Sequence, residues 1–121
     1  MSFSEAVKTC FSKYCCFEGR ARRAEYWWWF LFESIVIFVV SFIAGLFLSE
    51  DAQQTVTSIL SLALLLPSVG VAVRRLHDLG KKGTYYLLVL IPVVGAIILF
   101  VWFAKVGQAG ENQFGPDPLA E

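Results

Sequence analysis

Arg74-Arg75-Leu76-His77-Asp78 places two guanidiniums, an imidazole and a carboxylate within five consecutive residues. Such a group can do one of three things. The planar fork of arginine matches phosphate, so the run can hold an anion. His77 beside Asp78 can move a proton, but only where geometry aims the pair at a reacting group. The third use is structural. Cations are favoured at a helix C-terminus, Arg74 and Asp78 stand four apart and can pair along a helix, and Gly80 fits the position that ends one. A second basic run, Arg20, Arg22 and Arg23, is followed by Glu25. Arg20, Arg23, Glu25, Arg74, Arg75, His77 and Asp78 together make a candidate anion- or partner-binding cluster, with Glu25 as the partner of Arg74 or Arg75.

Glu33 is the other residue with chemical potential. It is the one charge in the apolar run Trp27–Leu48, ~9 Å in at 1.5 Å per residue. A carboxylate in a membrane is costly and faces a bundle interior or water. Glu33 therefore either snorkels or pairs with a basic residue at the cytoplasmic boundary, or it marks a protonatable or cation-binding site. The three cysteines, Cys10, Cys15 and Cys16, are an odd number in one cluster, which reads as free thiols on a reducing side rather than a disulfide framework. With a single histidine there is no ligand set for a metal, and no cofactor is implied. No Gly-x-Ser-x-Gly, His-Glu-x-x-His or phosphate-binding glycine loop occurs. The expectation is a protein that is not an enzyme, with His77 at a helix end.

The elements that must position these groups are apolar. In a chain of 121 residues, 57% are hydrophobic, more than a small soluble domain can cover. A helix needs about 20 apolar residues to cross a ~30 Å hydrocarbon core. Three runs meet that length, at about 27–48, 54–73 and 85–104. Before them, Phe3, Val7, Cys10, Phe11 and Tyr14 recur at helical spacing and predict an amphipathic helix over about 4–16, too polar to span. The predicted fold is a single all-α membrane domain over residues 1–121, with three transmembrane helices, that amphipathic helix and a polar tail over 105–121. No cleavable signal peptide is visible.

Aromatic residues mark the span ends, at Tyr26–Trp29, Tyr85–Tyr86 and Trp102–Phe103. Ser34, Ser41 and Gly45 share a face of the first span, and Ser58, Ser61, Ser68 and Ala72 share one of the second. Such small faces let helices approach closely. Leu66-Pro67-Ser68-Val69-Gly70 and Ile91-Pro92-Val93-Val94-Gly95 predict matching kinks, each freeing a carbonyl four residues back, at Ala63 and Leu88. Matching kinks suit either an inverted repeat of the transporter kind or the ordinary abundance of Pro and Gly in membrane helices.

Five Lys and Arg precede the first span and four lie in the second connection, against none around Ser49–Asp51 and only Lys105 in the tail. Nine against one places the N-terminus and the second connection in the cytoplasm. Three spans then put the tail outside.

Phe17-Glu18-Gly19-Arg20-Ala21-Arg22-Arg23-Ala24-Glu25-Tyr26-Trp27, the Arg74–Gly80 run and the tail pattern Gly107-x-x-Gly110-x-Asn112-x-x-Gly115 together resemble the domain of unknown function 805 family (DUF805) of bacterial inner-membrane proteins. One departure is Thr84-Tyr85 after Gly83, where the family usually carries tryptophan. The resemblance implies a multi-pass protein of the bacterial inner (plasma) membrane, and no activity. Expected partners are the lipid bilayer, an anionic lipid or another membrane protein, and further copies of the chain. Zero net charge gives no global field for nucleic acid. The leading function is binding of a partner or anionic lipid through the basic motifs. The alternative is a subunit of an oligomeric transporter or channel, with Glu33 and the proline kinks lining its path.

Overall fold

A computed structural model describes residues 2–14, 16–116 and Pro118. Helix α1 spans Phe3–Ser12, α2 Arg23–Phe47 and α3 Glu50–Asp78. A 3₁₀ segment over Gly83–Leu90 and helix α4 over Val94–Ala104 complete the order. The described residues contain no strand beyond an isolated bridge between Asn112 and Gly115.

Ser2 caps α1, its hydroxyl accepting from the amide of Glu5, and the helix ends at Ser12, earlier than its apolar spacing predicts. The α1 face bearing Ala6 and Cys10 is fully buried. Phe3 and Phe11, near the two ends of α1, both meet the ring of Phe32, so α1 lies across α2 rather than along it. Cys15, one of the three thiols, lies outside the described residues, as do Asp117 and 119–121 of the tail.

Both α2 and α3 are long and apolar enough to cross a membrane. Ser49 caps α3 by accepting from the amide of Ala52, and Glu50 and Asp51 in its first turn suit the positive end of the helix dipole. Ser41 bonds Thr57 at 3.0 Å, and Gln53 reaches the carbonyl of Ser41. Away from this seam the two helices are bare: Phe38, Phe42, Phe47, Ile59 and Leu62 are exposed, a surface that suits lipid and not water. Ser34, Ser58 and Ser61 also face outward, so only part of each small-residue face makes the packing. Pro67 stands inside α3 and is buried. The carbonyl it frees, at Ala63, accepts from the hydroxyl of Tyr14.

The third expected span is not a span. The chain runs inward as the 3₁₀ segment, breaks at Ile91–Val93, and returns as α4. Eight residues at ~2.0 Å and eleven at ~1.5 Å each give about 16 Å, half a bilayer core. The two ends of this hairpin meet: Tyr85 packs edge-on against Trp102, and Lys81 stands 4.4 Å above the Trp102 ring. Two local features make the break. Val93 adopts φ 63°, which a β-branched residue does only under constraint. Gly95 faces the carbonyl of Leu88 so closely that a Cβ there would stand 1.7 Å from the oxygen. The expectation of three spans is therefore corrected to two span-length helices and a helical hairpin. The tail, expected at the opposite end from the basic loop, emerges at the same end. Counting apolar residues cannot detect this, because a hairpin and a span use the same twenty.

Packing concentrates at that end. Cys10, Ala21, Trp29, Leu64 and Val71 form one buried cluster, and Ala72, Leu76, Leu99 and Phe103 a second.

Candidate functional site

The last turns of α3 carry Arg74 to Asp78, all of them buried. The helix ends as the sequence predicts. Gly80 takes φ 75°, its amide donates to the carbonyl of His77, and the amide of Lys81 donates to that of Leu76. This pair of bonds satisfies carbonyls that the helix leaves open.

Asp78 does not pair with Arg74, the partner expected from the spacing of four. Its Oδ2 accepts from Nη1 of Arg75 on the same helix, and its Oδ1 accepts from Nε of Arg20 at 3.0 Å. Arg74 turns the other way, to Oε2 of Glu25 at the start of α2, which is one of the two pairings the sequence allowed. The side chains of both arginines of α3 are fully enclosed. Nε and Nη2 of Arg74 meet no hydrogen-bond acceptor oxygen or nitrogen among the described residues. Cys10 lies against Arg74, and burial pushes its thiol up to about 12, so it is not a ready nucleophile.

Three buried guanidiniums share two carboxylates, and for Arg20 and Arg75 backbone carbonyls supply the rest. Nη1 of Arg20 donates to Gly110 at 2.6 Å and to Gly115 at 3.3 Å, and Nη2 donates to Gln108. Nε of Arg75 donates to Phe103 at 3.2 Å, and Nη2 donates to Lys105. Arg23, whose side chain is otherwise exposed, reaches the carbonyl of Ala104, and the Trp27 indole reaches that of Phe103. The C-terminus of α4 is thus capped by two arginines and an indole, where a helix has unpaired carbonyls and negative partial charge.

His77 fastens the loop before α2 and the tail to the end of α3. Its Nδ1 lies 2.9 Å from the carbonyl of Gly19, which can only accept, so Nδ1 holds the proton. Its ring stacks on Phe114 at 4.1 Å, nearly parallel. Asn112 donates to the His77 carbonyl, and the amide of Gln108 donates to that of Asp78. Arg22 donates to the carbonyl of Pro118. The structure therefore brings together all seven candidate residues of the cluster. It adds Gln108, Gly110, Asn112 and Phe114, of which Gly110 and Asn112 were legible only as part of a family-like tail pattern. Beside the cluster a polar cleft of about 280 Å³ is lined by Glu5, Thr9, Lys13 and Arg22, among others.

Glu33 stands apart from this cluster. Among the described residues it forms no ion pair with a basic side chain, so the boundary pairing is not made. Grouped with it is Ser68 of α3, whose hydroxyl accepts from the Trp29 indole at 3.0 Å. These groups border a cavity of about 270 Å³ between α2, α3 and the hairpin. No group of three or more His, Cys, Asp and Glu suited to a metal ion occurs among the described residues.

Residues 14–116 match the family model "Protein of unknown function (DUF805)". Inner membrane protein YhaH of Escherichia coli K12 is 39% identical, over 89% of this chain and 91% of its own. Inner membrane protein YhaI of the same strain is 40% identical, over 87% of each chain. Uncharacterized protein YiiR, also from that strain, is 30% identical over 84% of each. No solved structure matches.

Proposed function

Because the chain belongs to the DUF805 family, with inner-membrane proteins among its relatives, we propose that it is a multi-pass inner-membrane protein whose cytoplasmic face binds anionic lipid headgroups without catalysis. The observation that carries this reading is the division of the cations. Arg20, Arg74 and Arg75 are enclosed and engaged by Asp78, Glu25 and backbone carbonyls. They are not free for a ligand: Arg20 and Arg75 hold the tail, and Arg74 ties α3 to α2 through Glu25. Lys8, Lys13, Arg23, Lys82 and Lys105 remain exposed around them, where each basic group near a negative leaflet contributes about 1 kcal/mol.

With the tail returned to the same end, all ten Lys and Arg lie on α1, the basic loop, the end of α3, the second connection or the start of the tail. The turn between α2 and α3 carries Glu50 and Asp51 instead. This supports a cytoplasmic N-terminus and, beside it, a cytoplasmic tail. His77 and Asp78 are occupied in fastening Gly19 and two arginines, which supports binding rather than acid–base chemistry. A transporter or channel subunit needs several copies, since two spans and a half-depth hairpin enclose no path.

The reading is tested with purified protein and spin-labelled lipids. Phosphatidylglycerol should be enriched over phosphatidylcholine at the protein surface, and Lys8→Gln with Lys13→Gln and Lys82→Gln should reduce that preference at least several-fold. An equal distribution of the two lipids around the unaltered protein refutes it, and a preference for a co-purifying protein would favour that class of partner. For topology, Ser49→Cys in a cysteine-free background should react with an impermeant thiol reagent in intact cells, and Gln113→Cys should not. The reverse pattern inverts the orientation, and labelling of both restores three spans.

A further inference from the structure

We propose that the cavity bordered by Glu33 is a binding site for a lipid-soluble organic cation, an amine or quaternary ammonium head on a small apolar body. The residues around it match that class and fit others poorly. Glu33 is half-buried and has no cationic partner among the described residues. A carboxylate at this depth is costly unless a counter-charge or hydrogen bonds compensate it, and the Ser68 hydroxyl on the same wall already accepts from the Trp29 indole. The surrounding wall is aromatic, with Tyr26, Trp29, Phe30, Tyr86, Phe100 and Phe103. Ring faces attract a desolvated ammonium, and such cages are how quaternary ammonium groups are held. An anion would meet the carboxylate. Calcium demands six or more oxygens, against one carboxylate and three hydroxyls here.

Size and access agree with this assignment. A volume of about 270 Å³ stands just below the usual range for small-molecule pockets and suits a head group with one ring, not a whole lipid. Phe30, Leu65, Val89 and Phe100 on its wall keep exposed surface on the flank of the bundle, so entry is from the lipid side. The hairpin makes the site: α4 supplies Ala96, Leu99, Phe100 and Phe103 to the wall, and a third full span would direct these residues differently.

The experiment uses the full chain in a non-ionic maltoside micelle, titrated calorimetrically with phenyltrimethylammonium and with tert-butylbenzene, its uncharged counterpart of the same shape. The cation should bind saturably, one per chain. Glu33→Gln should weaken it at least tenfold and leave any binding of tert-butylbenzene unchanged. Ala96→Phe, which fills the cavity and leaves the carboxylate in place, should abolish saturable binding and keeps the proposal testable if Glu33→Gln fails to fold. The proposal is overturned if the unaltered protein does not bind the cation, if either variant binds it as well as the unaltered protein, or if tert-butylbenzene competes on equal terms. That last result would mean an apolar crevice only.

Discussion

Leu66-Pro67-Ser68-Val69-Gly70 and Ile91-Pro92-Val93-Val94-Gly95 are close to the same sentence written twice, and the chain reads them in opposite ways. The first passes through α3 without interrupting it. The second ends one segment and turns the chain back. In both, the glycine three places after the proline admits a backbone carbonyl. At Gly70 it is the carbonyl of Cys16, 3.1 Å from where a Cβ would be, so the loop from α1 lies down on an intact helix. At Gly95 it is the carbonyl of Leu88, from the 3₁₀ segment just before the break, so the hairpin folds onto itself. The released carbonyls differ too. That of Ala63 is taken up by Tyr14 from the turn after α1, whereas that of Leu88 accepts from Ile91 and closes the segment locally. A proline in a membrane helix is an invitation to bend, and the partner that reaches the opened backbone decides the outcome.

The strongest way to break this contrast is to release the far end of the returning limb. Asp78→Ala leaves Arg20 and Arg75 enclosed without their carboxylate, and losing one partner of a buried pair costs about 3–5 kcal/mol. Folded protein recovered from detergent should fall steeply, and reactivity of Gln113→Cys in intact cells should rise as the tail detaches. A neutral outcome would mean that the break at Pro92 holds the hairpin unaided. Next in size is Gly95→Ala, whose methyl meets a backbone oxygen that cannot swing away. Overpacking of this kind costs about 1–3 kcal/mol or more, read as a lower melting temperature. The matched change Gly70→Ala should cost less, about 1 kcal/mol, because its neighbour needs to move only a few tenths of an ångström. If the two glycine variants lose equal stability, the distinction between an outside carbonyl and an internal one fails. Smallest is Tyr14→Phe, which removes the hydroxyl from Ala63. Membrane hydrogen bonds average ~0.6 kcal/mol, so the loss should be of that order, with α3 still continuous by helical content.

Much of this was legible beforehand, and the omissions have a common cause. The two long helices follow from apolar length, and the meeting of Glu25 with Arg74 follows from placing both at one membrane face. The helix end at Gly80 follows from residue type. The hairpin was hidden because hydropathy counts residues and carries no direction. Its trace was the short distance from Gly95 to Lys105, ten residues, too few for a crossing once Pro92 is read as a break. The position of the tail inherited that error, and with it the role of Gln108, Gly110 and Asn112, whose contacts with Arg20 and His77 span long sequence separations. Glu33 was legible as unusual, but its place on a cavity wall rather than beside a basic neighbour depended on which helix faces meet.

The arginine cluster also orders events in time. A ribosome delivers Arg20 and Arg75 to the membrane well before residues 103–115, whose carbonyls complete their bonding. Until those last residues emerge, the inserted α2–α3 pair carries guanidiniums with unmet donors at the edge of the hydrocarbon. A chain that stops early stays in that state. The arginine clamp can therefore close only last, when the chain is long enough to bring those carbonyls back to it.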